Sequence, residues 1–192
     1  MNAASGGRIV VDDADRLRFL DELRTVVSEH GWRCGAYCVM DTHAHVLVCT
    51  PEADLGAGMK IFLGRYAFRY NRRHGLSGHL CRRRYWSRRI DRPHYLRCAA
   101  LYAVLNPVAA GVCRHPSGFR WSSYRETAHP SRPSGLLNLE VVLHSLDDDL
   151  DVARALYREL VDDAVARLGR RRAEEAWWRT VERAAAETQE TG

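Results

Sequence analysis

The chain has 192 residues, which is enough for one domain of ordinary size with a helical appendage. Its composition, 46% hydrophobic and 28% charged, is that of a globular protein, and no apolar run is long enough to cross a bilayer. Residues 1–7 lack the basic-then-apolar order of a secretory signal. The six cysteines form no CxxC pair, which argues against a zinc ribbon or a disulfide framework and predicts reduced thiols in the cytoplasm.

The first predicted elements are a helix and a hairpin. Asp12 and Asp13 can cap a helix that ends near Gly31 and places Leu17, Leu20, Leu23 and Val27 on one stripe. Two segments rich in Tyr, Cys and Val follow, at 32–40 and 44–50. Asp41 and Thr42 separate them, so the pattern predicts a β-hairpin.

A second helix is predicted from Asp54 to about His74, with Gly75 as its stop. Apolar residues recur along it near the helical period. Three glycines, at positions 56, 58 and 64, should weaken it by roughly 1 kcal/mol each relative to alanine.

The predicted elements after this helix are shorter. A basic loop over 75–84 leads to a short strand at 85–90, and Pro93 begins a helix that runs to about Leu105. Helices are then expected over 140–165 and 170–186. The order of elements favours an α+β domain, an antiparallel sheet with packed helices, over residues 1–129, followed by a helical tail over 130–192 that is first acidic and then basic.

The net charge of +5 is unevenly distributed. Between residues 60 and 97, twelve lysines and arginines accompany one acid, Asp91, so this stretch carries +11 and the remainder −6. Many basic runs are solvated faces, but aromatic residues are interleaved here, as suits phosphate contacts and stacking on unpaired bases: Tyr66, Phe68, Tyr70, Tyr85 and Trp86. We expect nucleic-acid binding through the arginines of this stretch, chiefly Arg65, Arg69, Arg72, Arg73, Arg82, Arg83, Arg84 and Arg88.

A pair of histidines begins the second predicted strand. Side chains alternate faces along a strand, so His43 and His45 point the same way and Ala44 points into the opposite layer. Two imidazoles side by side can bind a metal ion, with at least one further ligand needed. A His-x-His pair is a weak motif, however, and a chance pair at a strand edge would look the same.

Tyr102 and Asn106 lie four residues apart in the third predicted helix, so they share one face. There they can present a nucleophilic phenol and a third metal ligand together. The alternative is a half-buried tyrosine and an asparagine that ends the helix before Pro107.

Together these motifs resemble a known family. They are, in order, Tyr37-Cys38-Val39-Met40, His43-Ala44-His45-Val46-Leu47-Val48, Gly64-Arg65-Tyr66-Ala67, Asn71-Arg72-Arg73-His74-Gly75, Ser77-Gly78-His79-Leu80, Arg84-Tyr85, Tyr102-Ala103-Val104-Leu105-Asn106-Pro107-Val108, Ala110-Gly111 and Trp121-Ser122-Ser123-Tyr124. The series, over residues 9–124, is similar to that of the REP-associated tyrosine transposases and their single-tyrosine HUH relatives in insertion sequences.

The resemblance implies a ferredoxin-like antiparallel sheet (the HUH endonuclease fold), with Mg²⁺ or Mn²⁺ bound by His43, His45 and Asn106. It further implies that Tyr102 attacks single-stranded or hairpin DNA to form a 5′-phosphotyrosine link, in a protein that is a monomer or a homodimer. Family members usually carry a further strand before the first helix, where this chain has only residues 1–11, so either the true start lies upstream or this copy is decayed and its first strand is missing. Asp41-Thr42 also replaces the usual Pro-Asn.

Two other functions fit the sequence. A decayed or domesticated relative would hold DNA hairpins through its arginines without cutting them. A small metallohydrolase would use His43 and His45 with water, but it would leave the basic stretch unexplained.

Overall fold

The computed structural model describes residues 7–81, 85–130 and 133–168. Helix α1 spans Asp13–Glu29, and the side chain of Asp12 caps it by accepting a hydrogen bond from the Asp15 amide. Its buried apolar face is centred on Phe19, Leu23 and Val26. The predicted stripe was wrong at Leu17, which is 52% exposed, because the face that packs on the sheet is rotated toward Phe19.

Strands β1 (Arg33–Val39) and β2 (Ala44–Cys49) form the predicted antiparallel hairpin. Cys38 lies opposite His45, and Val39 lies opposite Ala44. A register shift between Cys34 and Ala36 leaves Gly35 unpaired in the ladder. Within the described residues this hairpin is the whole sheet, so the α+β class is confirmed in general terms, with two strands.

The hairpin separates two hydrophobic clusters. Tyr37, Val39 and Ala44 pack into a cluster with α1 and the following helix. Ala36 and Leu47 pack on the other face, with the helices of the second half of the chain. Because faces alternate along β2, the side chains of His43 and His45 lie on the Leu47 face.

Helix α2 spans Leu55–His74 and ends, as predicted, at Gly75, whose φ of 63° is left-handed. Its buried face consists of Phe62, Tyr66 and Tyr70, spaced four residues apart. The helix packs beside α1 on the Val39 face of the hairpin.

Residues 85–90 form no strand, so that expectation was wrong. They lead into α3, which spans Pro93–Ala109. The helix continues through Pro107, beyond the predicted end at Leu105, since Pro107 is buried in the core and its missing amide removes only one helical hydrogen bond. Burial therefore outweighs the local preference against a helix before proline.

The second half of the chain covers α3. It contains a 3₁₀ turn at Pro116–Gly118, α4 (Tyr124–Ala128), α5 (Glu140–Leu143) and α6 (Leu150–Arg167). The helix expected over 140–165 is thus broken into two, and α6 shares a core cluster with α3. The helix expected over 170–186 lies outside the described residues.

Loop residues pair with the outer edge of β1. The Val39 amide donates to the Trp121 carbonyl at 2.9 Å, and the Ser123 amide donates to the Tyr37 carbonyl at 3.0 Å. Further along, the Asn138 amide donates to the Cys34 carbonyl at 2.8 Å. These contacts satisfy backbone groups that would otherwise be buried without partners.

The described residues just before α1, 7–12, form no strand, but Ile9 and Val10 anchor them in the core. Ile9 and Val10 are fully buried, and their amides both donate to the Asp41 carbonyl, at 2.7 and 3.1 Å. The hydroxyl of Tyr66 donates to the Ile9 carbonyl at 2.5 Å. The segment thereby ties the turn of the hairpin to α2.

All six cysteines lie in the described residues as free thiols, and Cys34 and Cys38 are buried. Across the described ranges, no helix has both the length and the apolar character that a membrane span requires.

Candidate metal and nucleophile site

His43 and His45 lie side by side at the start of β2. Their ring centroids are 5.1 Å apart, with the ring planes nearly perpendicular at 81°. Ala44, between them, is buried in the opposite layer. The alternation of a strand is what places both imidazoles on the α3 side of the hairpin.

Helix α3 brings Tyr102 and Asn106 to the two histidines. The Asn106 Oδ1 atom lies 3.1 Å from His43 Nε2. The Tyr102 ring lies edge-on to the His45 ring, with centroids 4.8 Å apart and an interplanar angle of 84°. The four predicted residues therefore lie together, and Tyr102 is half-buried.

The amide of Asn106 has a fixed orientation. It is buried, and its Nδ2 donates a 2.8 Å hydrogen bond to the Tyr102 carbonyl. Since the nitrogen is committed to that carbonyl, the oxygen faces His43. Because the two residues are four positions apart on one helix, the side chain of the candidate ligand, Asn106, bonds directly to the backbone of the candidate nucleophile, Tyr102.

The contacts of His43 define its tautomer. An amide oxygen only accepts, so Nε2 carries the proton and donates to Asn106. The other ring nitrogen, Nδ1, then accepts from the Thr42 hydroxyl at 3.0 Å. Both ring nitrogens therefore have assigned partners.

His45 is held in its neutral form. Burial first, and the neighbouring His43 second, lower the pKa of His45 to about 3 from its ordinary 6.5, while the nearby Asn106 side chain opposes the shift in part. The Nε2 atom of His45 is buried and has no hydrogen-bond partner among the described residues. A buried ring nitrogen in this condition is uncommon and needs an explanation.

The donor set fits a divalent cation. Octahedral ligands at about 2.1 Å from an ion lie about 3 Å from one another, and His43 Nε2 and Asn106 Oδ1 are 3.1 Å apart. Binding through Nε2 would require the ring proton to move to Nδ1, from which it would be donated to the Thr42 hydroxyl. His45 offers a neutral imidazole that needs no deprotonation at neutral pH. In the described part of the chain, no group of three or more His, Cys, Asp and Glu side chains is arranged for a metal. A cation bound between the two histidines would therefore take the amide oxygen of Asn106 as its third ligand.

Three of the eight predicted DNA-binding arginines form ion pairs with α1. Arg65 donates two hydrogen bonds to Glu29, at 3.1 and 2.9 Å, and Arg69 Nε lies 2.7 Å from Glu22. Arg73 contacts both Asp12 and the buried Asp15. These arginines join α1 to α2, on the side of the hairpin opposite the histidines.

Arg72 and Arg88 are exposed. Arg88 lies in the segment that leads into α3, the helix of the candidate nucleophile. Arg82, Arg83 and Arg84 lie outside the described residues.

Four of the five interleaved aromatic residues divide into two groups, and the fifth, Tyr85, is half-buried. Tyr66 and Tyr70 are core residues. Phe68 is 67% exposed and Trp86 is 71% exposed. The four-residue spacing of Phe62, Tyr66 and Tyr70 already indicated a core stripe, so stacking on bases is left chiefly to Phe68 and Trp86.

Sequence reasoning missed Arg16 and the role of Asp41. Arg16 contacts the Asp41 carboxylate, so it joins α1 to the turn before His43. The two residues are 25 positions apart, and no local pattern links them.

Comparison of the chain with protein-family models, curated proteins and solved structures finds no match.

Proposed function

We propose that the protein is a metal-dependent DNA strand transferase that cleaves and rejoins single-stranded, hairpin-associated DNA through Tyr102. The observation that carries the proposal is the convergence of His43, His45, Asn106 and Tyr102 from two elements that are distant in sequence. The resemblance to the single-tyrosine HUH transposases supports the same assignment of roles.

In this proposal His43, His45 and Asn106 hold Mg²⁺ or Mn²⁺. The ion, when bound, would polarise the scissile phosphate and offset the charge that develops on it. The chain supplies neutral ligands, because burial keeps the proton off His45 and the amide of Asn106 carries no charge. Coordination positions are thus left for phosphate and water oxygens.

Tyr102 is proposed as the nucleophile. Its oxygen would bond to the phosphorus while the bond from phosphorus to the 3′ oxygen breaks, and the phenol's proton would finish on the 3′-hydroxyl. A phosphotyrosine keeps the energy of the phosphodiester, so a second 3′-hydroxyl can reverse the step without ATP. The ordinary pKa of a phenol, near 10, makes cationic surroundings necessary.

Single-stranded DNA is the proposed substrate because of the charge of residues 60–97 and the exposed Trp86. Arg65, Arg69 and Arg73 are paired with acidic residues of α1. We therefore propose that the DNA binds on the α3 side of the hairpin. Among the described arginines of the predicted set, the exposed Arg88, in the segment that leads into α3, is the proposed phosphate ligand.

The proposal is tested by incubating the protein with a 5′-labelled single-stranded hairpin oligonucleotide that continues past the hairpin, with and without Mn²⁺, and separating the products on a denaturing gel. The 5′ label reports the shortened upstream product. The protein stays on the 5′ phosphate of the downstream fragment, so a 3′-labelled copy of the oligonucleotide should give a shifted protein–DNA band that a chelator abolishes. His43→Ala should remove the band. Tight DNA binding without a band under any condition would instead identify a binding protein, and cleavage without a covalent band would identify a metallohydrolase.

A further inference from the structure

The turn between β1 and β2 is held from three directions. The Asp41 carbonyl accepts hydrogen bonds from the Ile9 and Val10 amides, and the Asp41 carboxylate contacts the Arg16 guanidinium. The Met40 amide closes the turn by donating to the His43 carbonyl at 2.9 Å. His43 is therefore the first residue after a turn whose backbone and side chain are both anchored.

Arg16 is an unusual residue to find in this position. Only 13% of its side chain is exposed, and its guanidinium lies 5.5 Å from the centroid of the Trp121 ring. Its Nε atom is buried and has no hydrogen-bond partner among the described residues. A buried donor without a partner destabilises the folded protein, so the contacts of the rest of the guanidinium must offset that cost.

Those contacts are specific. One terminal nitrogen, Nη1, lies 3.1 Å from Asp13, in the first turn of α1, and the other, Nη2, contacts Asp41. A planar guanidinium can join two carboxylates in this way, whereas an ammonium group acts as a single point charge. Arg16 thus fixes the hairpin turn relative to α1.

We propose that Arg16, acting through Asp41, is the positioning residue that holds His43 against Thr42 and Asn106. This role for Arg16 rests on the proposed function, because it assumes that His43 binds a metal. The contacts of Arg16, Asp41 and His43 themselves do not depend on a metal. With the turn anchored, the Thr42 hydroxyl meets His43 Nδ1 and Asn106 Oδ1 meets Nε2. Partners that orient a ligating histidine in this way affect metal affinity about 10–100-fold.

The experiment uses the full chain without metal. Long-range ¹H–¹⁵N spectra report the tautomer of each histidine, and His43→Gln identifies the signals of His43. The wild type should show a single Nε2–H tautomer. Arg16→Met keeps much of the apolar stem but removes the guanidinium from Trp121 and Asp41. Asp41→Ala removes the partner while Arg16 stays. Both variants should show a mixture of His43 tautomers, and Asp41→Asn, which still accepts a hydrogen bond, should restore much of the wild-type pattern.

The control is Arg65→Met, which breaks the ion pair with Glu29 elsewhere on α1 and should leave the His43 signals unchanged. If Arg16→Met does not fold, the His43 signals of Asp41→Ala alone test the proposal. Wild-type His43 signals in a folded Arg16→Met or Asp41→Ala protein would overturn the proposal. Mn²⁺ affinity, measured in parallel, should fall about tenfold or more in both variants, because the His43 ring is no longer held beside Asn106 and Thr42. If the wild type binds no Mn²⁺, the proposed function fails, while the tautomer comparison still decides the role of Arg16.

Discussion

The side-chain oxygen of Asn106 lies 3.1 Å from His43 Nε2, although 63 positions separate the two residues in the chain. The contact joins the strand that carries both histidines to the helix that carries Tyr102. It makes Asn106 the residue whose replacement should most directly change cation binding.

Asn106→Ala should lower Mn²⁺ affinity about 10–100-fold, because one of three protein ligands is lost. Asn106→Asp should retain or increase affinity, since a carboxylate oxygen is a good ligand for this ion. Isothermal titration of the metal-free protein measures both. Asn71→Ala is the control, because Asn71 bonds the Gly78 carbonyl at the end of α2. Equal affinity in Asn106→Ala and wild type would exclude Asn106 as a ligand.

Acid should destabilise the metal-free protein through His45. Its pKa is depressed to about 3 in the folded state, so between pH 6.5 and 3 the unfolded chain binds the additional proton. Stability is thus fully present above pH 6.5 and is lost as the pH falls, by up to about 1.4 kcal/mol per pH unit from this residue.

Urea unfolding across this pH range measures the effect. His45→Gln should show a shallower loss than the wild type. His144→Gln, which replaces an exposed histidine, is the matched control and should keep the wild-type slope. Identical slopes in His45→Gln and wild type would show that His45 takes up its proton normally in the folded protein.

Two glycines of α2 should respond in opposite directions to the same substitution. A Cβ atom at Gly64 meets nothing within 4 Å, so Gly64→Ala should stabilise the helix by about 1 kcal/mol. A Cβ atom at Gly58 would lie 2.4 Å from the buried Trp32 ring, so Gly58→Ala should lower the free energy of unfolding. Thermal or urea unfolding decides, and a stabilising Gly58→Ala would show that Trp32 does not pack there.

DNA affinity should depend on which arginine is neutralised. Arg88→Gln should weaken binding to all single-stranded sequences alike and flatten the plot of log affinity against log salt by about 0.7, as expected for one lost phosphate contact. Arg69→Gln should change the slope less, since Arg69 is paired with the buried Glu22, but it should lower stability. Fluorescence anisotropy over a salt series measures the slopes. Equal slopes in Arg88→Gln and wild type would place the DNA elsewhere.

The sequence predicted the parts of the structure that short-range periodicity governs. Alternation along β2 correctly placed His43 and His45 on one face, and the four-residue spacing of Tyr102 and Asn106 put both on one side of α3. The hairpin and the end of α2 at Gly75 followed from turn and helix-stop residues.

Contacts between distant elements could not be predicted in this way. No local pattern shows that Arg69 pairs with Glu22 or that Arg16 reaches Asp41. Tertiary burial carried α3 past the expected stop at Pro107. The charge of residues 60–97 predicts one basic surface, but charge counts do not show which side of the hairpin each arginine occupies.

The most direct test of the central claim is Tyr102→Phe, which removes one hydroxyl and keeps the ring against His45. Stability and DNA affinity should barely change. Tyr95→Phe, which removes a tyrosine hydroxyl elsewhere on α3, is the matched control. With a single-stranded hairpin substrate and Mn²⁺, the wild type and Tyr95→Phe should form a covalent protein–DNA adduct that survives denaturation, and Tyr102→Phe should form none. An adduct of undiminished yield in Tyr102→Phe would contradict the assignment of Tyr102 as the nucleophile.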